Sequence, residues 1–329
     1  MTKETTVPTV VGGGSQGVGG RGEALSARFG SSRPGSSPAV PENVHGLGHW
    51  MRTAGWRHAV AIVAVAFALF PMVFVLSSSL NPRGSLTDAS SMFSTVSLRN
   101  YLELFRQPRY PYAWWYLNSL VIGVTVSAGS LLLAASAAYA FSRFRFRGRR
   151  TGLMSLILLQ MFPQVLAYVA IFLMLSTFTR VFPAIGLDRQ LGLILLYMGG
   201  ALGTNTYLMY GFFNTIPHEI DEAAMIDGAG HARIFFTIIL RLSLPILVVT
   251  GMLSFIATLN DYMIPSIVLI TPERQTLAVG LYQYVNVSFS QNWGVFSAGA
   301  VLAAVPVVVM FMFLQKYIVS GLTAGSVKG

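Results

Sequence analysis

The stretch Asp221-Glu222-Ala223-Ala224-Met225-Ile226-Asp227-Gly228-Ala229-Gly230 decides how this chain is read. It is acidic, glycine-bearing and water-compatible, and it lies between two long apolar segments. A polar, helix-favouring block between spanning segments is placed to meet a soluble partner. Pro217 suits a first helical position. Glu219, Asp221 and Glu222 favour a first turn through the helix dipole. Ala223, Ala224 and Met225 are strong helix formers. Gly228 and Gly230 then interrupt, so the chain can bend before a second helix begins at Ile234-Phe235-Phe236. The pattern predicts a helix–turn–helix elbow over about 214–240 with a small-residue face. On the residues alone, a solvated loop kept soluble by its acids fits equally well.

Outward from that block, the composition is that of a membrane protein. The chain has 329 residues, 53% hydrophobic and 10% charged, whereas a soluble domain carries about 25% charged residues. Six apolar segments, near 57–80, 115–141, 151–178, 190–213, 241–270 and 294–319, are each long enough to cross a hydrocarbon core of about 30 Å. The first is too long, and too far from the N-terminus, for a simple cleaved signal peptide. Five arginines (Arg143, Arg145, Arg147, Arg149 and Arg150) crowd the loop after the second segment. Arginine in short loops resists translocation, so this loop reads as cytoplasmic. That orientation puts both termini and the Glu222 loop in the cytoplasm, with fifteen Lys and Arg inside against seven outside. The formal charge of +10 is thereby explained by membrane topology, and no nucleic-acid partner is expected. The arginine loop can also meet anionic membrane lipid.

Several chemistries are excluded. There is no cysteine, so thiolate metal sites, disulfides and Cys nucleophiles are absent. The three lysines, Lys3, Lys316 and Lys328, follow no phosphate-binding glycine loop. If ATP drives this protein, another chain binds it. Residues 1–56 read as a disordered cytoplasmic tail rich in Gly, Ser and Pro. The glycine run Gly12-Gly13-Gly14-Ser15-Gln16-Gly17 lacks the strand–helix context its motif matches require. His45 and His49 share that tail with breakers Gly46 and Gly48, which argues against a helical metal pair.

Outside the membrane, 97–105 reads as a short amphipathic helix capped by Ser97. Tyr110, Tyr112, Trp114, Trp115 and Tyr116 read as an interfacial aromatic belt. Inside it, Asn260 and Asp261 precede Pro265 in the fifth segment, and Gln164 follows Pro163, which marks a kink in the third. An ionisable group at membrane depth is a candidate for a translocation pathway; a place near the outer interface explains it as well.

Glu222, Ala223, Ala224, Asp227, Gly228 and Ala229, followed by Phe235, Ile238 and Pro245, resemble the cytoplasmic "EAA" loop of ABC-importer permeases. One departure is Arg241, where that family usually has proline. The segments Gln275-Thr276-Leu277-Ala278-Val279-Gly280-Leu281, Gln283-Tyr284 and Trp293-Gly294, and the ending from Ser320 to Gly329, resemble the MalG-type permeases of maltose/maltodextrin importers. The resemblance implies an all-α membrane protein of the type I ABC-importer fold: six transmembrane helices over 57–320 and a cytoplasmic tail from 321 to 329. It implies a multi-pass subunit of the bacterial inner membrane that is not itself an enzyme. Its expected partners are a second homologous permease, two copies of a cytoplasmic ATPase that binds ATP and Mg, and an extracytoplasmic sugar-binding protein. Glu222–Ala229 would couple to the ATPase. Gly321, Thr323, Gly325 and Lys328 would reach the ATPase interface. Tyr282, Tyr284, Phe289 and Trp293 would form the loop that meets the binding protein, although an interfacial belt accounts for each ring equally well. Maltose or maltodextrin is the expected sugar, with trehalose, cyclodextrins or glycerol phosphate carried by related permeases. An ion-coupled secondary transporter is the rival; it would show internal repeats and several buried ionisable groups.

Overall fold

The computed structural model describes residues 55–82, 93, 95–286 and 292–326. The chain divides into two units at Val63. The described part of the first is Gly55 and the opening turns of α1 (Trp56–Leu80). The rest of the expected tail lies outside the described residues.

Among the described residues the structure is helical, with no strand. After α1 come α2 (Arg99–Arg106), α3 (Tyr112–Arg143), α4 (Arg149–Gln160), α5 (Gln164–Val181) and α6 (Gln190–Phe213). The elbow follows as α7 (His218–Ile226) and α8 (His231–Leu242). Then come α9 (Leu244–Asn260), α10 (Met263–Val268), a 3₁₀ turn at Pro272–Arg274, α11 (Leu277–Asn286) and α12 (Trp293–Ser326). Five helices among the described residues are long and apolar enough to cross a membrane, and α8 with α9 makes a sixth span if the bent pair is taken together.

Two expected spans are not continuous. The third breaks at Met161–Pro163, because the residue before a proline is pushed out of the helical region; Pro163 itself is extended (ψ 114°) and α5 restarts at Gln164. The fifth bends by 80° between α8 and α9. Ser243 makes that bend, with Pro245 in the first turn of α9. Arg241, standing where the family has proline, keeps its N–H and lets the helix run on to Leu242. The fifth span breaks again after Asn260, before α10.

The central helix is α3. It packs along α6 and α9 through small residues, Ala134, Ala135 and Ala138. At its start, Tyr112 and Trp115 join Leu104, Leu281 and Tyr284 in one buried cluster. The expected aromatic belt is thus split: Trp114 is exposed, but Tyr112 and Trp115 are core. Ser97 does accept the Arg99 N–H at 3.2 Å, one residue outside the Leu98 cap position. At 1.5 Å per residue, Trp115 and Arg143 lie about 40 Å apart along α3, and each end organises its own cluster.

Candidate functional site: the coupling elbow

Helix α7 starts one residue after Pro217, which caps it rather than occupying the first turn. Its inner face is Asp221 and Ala224, one turn apart. Its outer face presents Glu222, Ala223, Met225, Ile226 and Asp227 to the outside. Ile226 is 87% exposed.

The turn is a Schellman motif. The Ala229 N–H donates to the Ala224 carbonyl at 2.9 Å, and the Gly228 N–H to the Met225 carbonyl at 3.0 Å. Gly228 has φ +81°, the left-handed region that a side chain disfavours. Ala229 then packs back on the cluster that holds Ala224. The second helix begins at His231, three residues earlier than the sequence suggested. From Ile234 to Ile239 it widens into a π-helix. That wider turn aligns positions five apart, so Ile234 and Ile239 are both fully buried with Phe235 beside them.

Arg143, the last residue of α3, holds the elbow from beneath. Its Nε lies 2.5 Å from Asp221 Oδ2, and the two side chains are 4% and 6% exposed. Its Nη2 donates to the Ile216 carbonyl at 3.1 Å. Next to it, the Ser142 hydroxyl donates to Asn214 Oδ1 at 2.9 Å. The Tyr139 ring sits 5.1 Å from Phe235, and Phe144 meets His231 edge-on at 5.0 Å. Sequence reasoning counted Arg143 only as a topology signal and passed over Asp221 as a first-turn acid. The signal available was an acid on the inward, Ala224 side of an amphipathic helix.

The other end of α3 fixes the segments around the predicted binding-protein loop. Trp115 Nε1 donates to the Pro272 carbonyl at 2.7 Å, Asn118 to the carbonyls of Glu273 and Gln275, and the Leu277 N–H to Ser119 Oγ. A Cβ on Gly280 would fall 2.0 Å from the Trp115 ring. Asp188, at φ +59°, accepts from Ile270 N–H, Thr271 N–H, the Thr271 hydroxyl and Arg274. Burial pushes its carboxyl up, but these donors outweigh burial and hold it below the usual carboxylate value.

Of the four loop residues, Tyr282 is exposed, its ring 4.7 Å from Tyr262. Tyr284 is 4% exposed, its ring tilted against Tyr110 and edge-on to Trp115, so it supports the loop from within and cannot lie on an outer surface. Trp293 opens α12 with its ring against Phe296. Phe289 and Lys328 lie outside the described residues. Gly321, Thr323 and Gly325 fall on the last turns of α12, which runs to Ser326 where a tail from 321 was expected.

Gln164 and Asp261 come together on one cavity of about 900 Å³ between α3, α4, α5, α6 and α9. Asn260 is exposed at the end of α9 and does not line it.

Comparison with known proteins agrees with this architecture. Residues 130–324 match the family described as "Binding-protein-dependent transport system inner membrane component". The galactooligosaccharides transport system permease protein GanQ of Bacillus subtilis is 43% identical, across 82% of this chain and 93% of its own length. The maltodextrin permease protein MdxG of the same organism is 39% identical, across 79% and 91%. The maltose/maltodextrin permease protein MalG of Escherichia coli is 35% identical, across 83% and 95%. A chain from the crystal structure of a bacterial ABC transporter involved in alginate import shares the fold, with a TM-score of 0.67 at 23% identity over 81% of this chain and 97% of that one. The ion-coupled rival falls with these matches. The chain, a multi-pass helical protein, belongs to the family of binding-protein-dependent transport system inner membrane components.

Proposed function

We propose that this chain is a permease subunit of an ATP-driven, binding-protein-dependent importer of maltose or maltodextrins. The observation that carries the coupling role is the elbow: exposed Glu222, Ala223 and Ile226 on a helix whose inner face is clamped to α3 by Arg143 and Asp221. In this reading both termini and the elbow face the cytoplasm. Two copies of a separate ATPase bind ATP and Mg, and a second homologous permease completes the pathway. When the ATPase closes, it moves α7, and the Arg143–Asp221 pair passes that movement to α3. About 40 Å away, α3 carries the segments around Tyr282, where the binding protein would dock. The 35–39% identity to maltodextrin permeases supports the substrate. The 43% identity to GanQ supports galactooligosaccharides as a second reading. Uptake of labelled maltotriose and galactotriose, in cells lacking this chain and in complemented cells, decides between them. Loss of maltotriose uptake alone supports the first; loss of neither rejects both.

A further inference from the structure

A second cavity, of about 600 Å³, lies between the start of α4 and the end of α6. Its lining includes Phe146, Arg149, Arg150, Thr151, Leu153 and Tyr210. It sits on the elbow side of the protein, since Asn214, four residues after Tyr210, accepts the Ser142 hydroxyl beside the Arg143 clamp. Arg149 is held in place: its Nη2 donates to the Tyr210 hydroxyl at 3.3 Å, and its guanidinium carbon lies 5.9 Å from the centre of that ring. Arg150 is exposed and makes no ion pair among the described residues, and no carboxylate lines the pocket. Two guanidiniums with open donors and no counter-ion call for an anion, and their planar forks match a phosphate.

The surroundings say which phosphate. Leu153 and Ile157 share one face of α4, and Tyr207 lies one turn before Tyr210 on α6. Ile157, Tyr207 and Phe146 are all exposed. Apolar surface therefore runs from the pocket along both spans, where hydrocarbon chains lie. A free phosphate uses none of that surface; a phospholipid uses both parts, and basic pockets between membrane helices suit anionic headgroups. A zwitterionic headgroup brings its own cation against the arginine pair, so a net negative lipid is favoured. We infer that this pocket binds the phosphate of an anionic phospholipid, with Arg149 and Arg150 on the headgroup and Leu153, Ile157 and Tyr207 beside the acyl chains. Tyr210 is a positioning residue, acting through Arg149. The site is narrower than a general attraction of the basic loop: Arg145 and Arg147 are exposed nearby in the chain but do not line it. Nothing in it depends on the sugar carried or on where an ATPase docks.

The test is native mass spectrometry of the purified full-length chain, with the subunits that accompany it, titrated in detergent with phosphatidylglycerol or phosphatidylcholine. The wild type binds phosphatidylglycerol more tightly. Arg150→Gln lowers that preference about fivefold, the worth of one basic side chain at an anionic surface, and Arg149→Gln with Arg150→Gln lowers it further. Arg145→Gln with Arg147→Gln removes as much charge from the loop and leaves the preference unchanged. Inorganic phosphate in excess does not displace the lipid. The exposed Arg150 side chain holds no other part of the chain among the described residues, so its variant reads the site and not the fold. Equal binding of the two lipids, an unchanged preference in Arg150→Gln, an equal loss in the Arg145 and Arg147 double variant, or displacement by inorganic phosphate overturns the site.

Discussion

Arg143 Nε lies 2.5 Å from Asp221 Oδ2, and both side chains are almost wholly out of solvent. This pair joins the end of the central helix to the inner face of the elbow. Leaving one buried charge without its partner costs about 3–5 kcal/mol, whereas replacing both by apolar groups is often neutral. Arg143→Met or Asp221→Leu alone therefore lowers the unfolding temperature in detergent, and the double variant recovers most of the loss. Thermal unfolding of all four proteins checks this; additive losses contradict it.

Gly228 closes the Schellman turn at φ +81°, with open space where a Cβ would lie. Gly228→Ala thus costs only the backbone term, about 1–2 kcal/mol. Gly228→Val adds β-branched crowding and redirects the turn. Uptake falls in that order while membrane insertion stays normal. Undiminished uptake in Gly228→Val counts against the elbow as the coupling surface.

Gly280 sits against the Trp115 ring with no room for a methyl group. Gly280→Ala overpacks this contact and destabilises by about 1–3 kcal/mol. The same change at Gly230, where nothing lies within 4 Å of the added atom, costs only the weaker N-cap of alanine, about 0.5 kcal/mol. Equal effects at both positions contradict the packing account.

Asp188 links two loops through the Thr271 and Ile270 donors and Arg274. Its folded carboxyl titrates below the usual carboxylate value, so the unfolded chain binds the proton more readily. The stability it contributes is present above about pH 4 and is lost as pH falls towards its folded value. Unfolding midpoints recorded from pH 6 downward fall more steeply in the wild type than in Asp188→Asn. Parallel profiles reject the assignment.

The sequence carried the elbow, because capping proline, acids, alanines and glycines act locally within ten residues. It carried six apolar segments for the same reason. Pro163 marked the kink in the third span, where the structure breaks the helix; the 80° bend at Ser243 was not placed, since hydropathy is blind to where a long apolar run bends. Trp115 and Tyr112 read as an interfacial belt because aromatic residues suit both an interface and a core; the distant segments 277–284 and 295–299, with Leu104, make them core. Arg143 and Asp221 are 78 positions apart, and nothing near either one announces the other. The cavity was half visible: Gln164 and Asp261 stood out as polar residues in spans, whereas Asn205 and Tyr197 look ordinary until α6 is packed against α9.

The central claim is that the α7 tip is where the ATPase docks, and Ile226 tests it most directly. Its side chain is 87% exposed, and surface changes of this kind alter stability by no more than about 0.5 kcal/mol. A mild-detergent pull-down of the tagged chain, wild type beside Ile226→Asp, is read by mass spectrometry. The wild type brings a P-loop ATPase and a second six-span permease, and the variant keeps the permease but loses the ATPase. An ATPase recovered equally with both, or a wild-type chain that comes alone, contradicts the account.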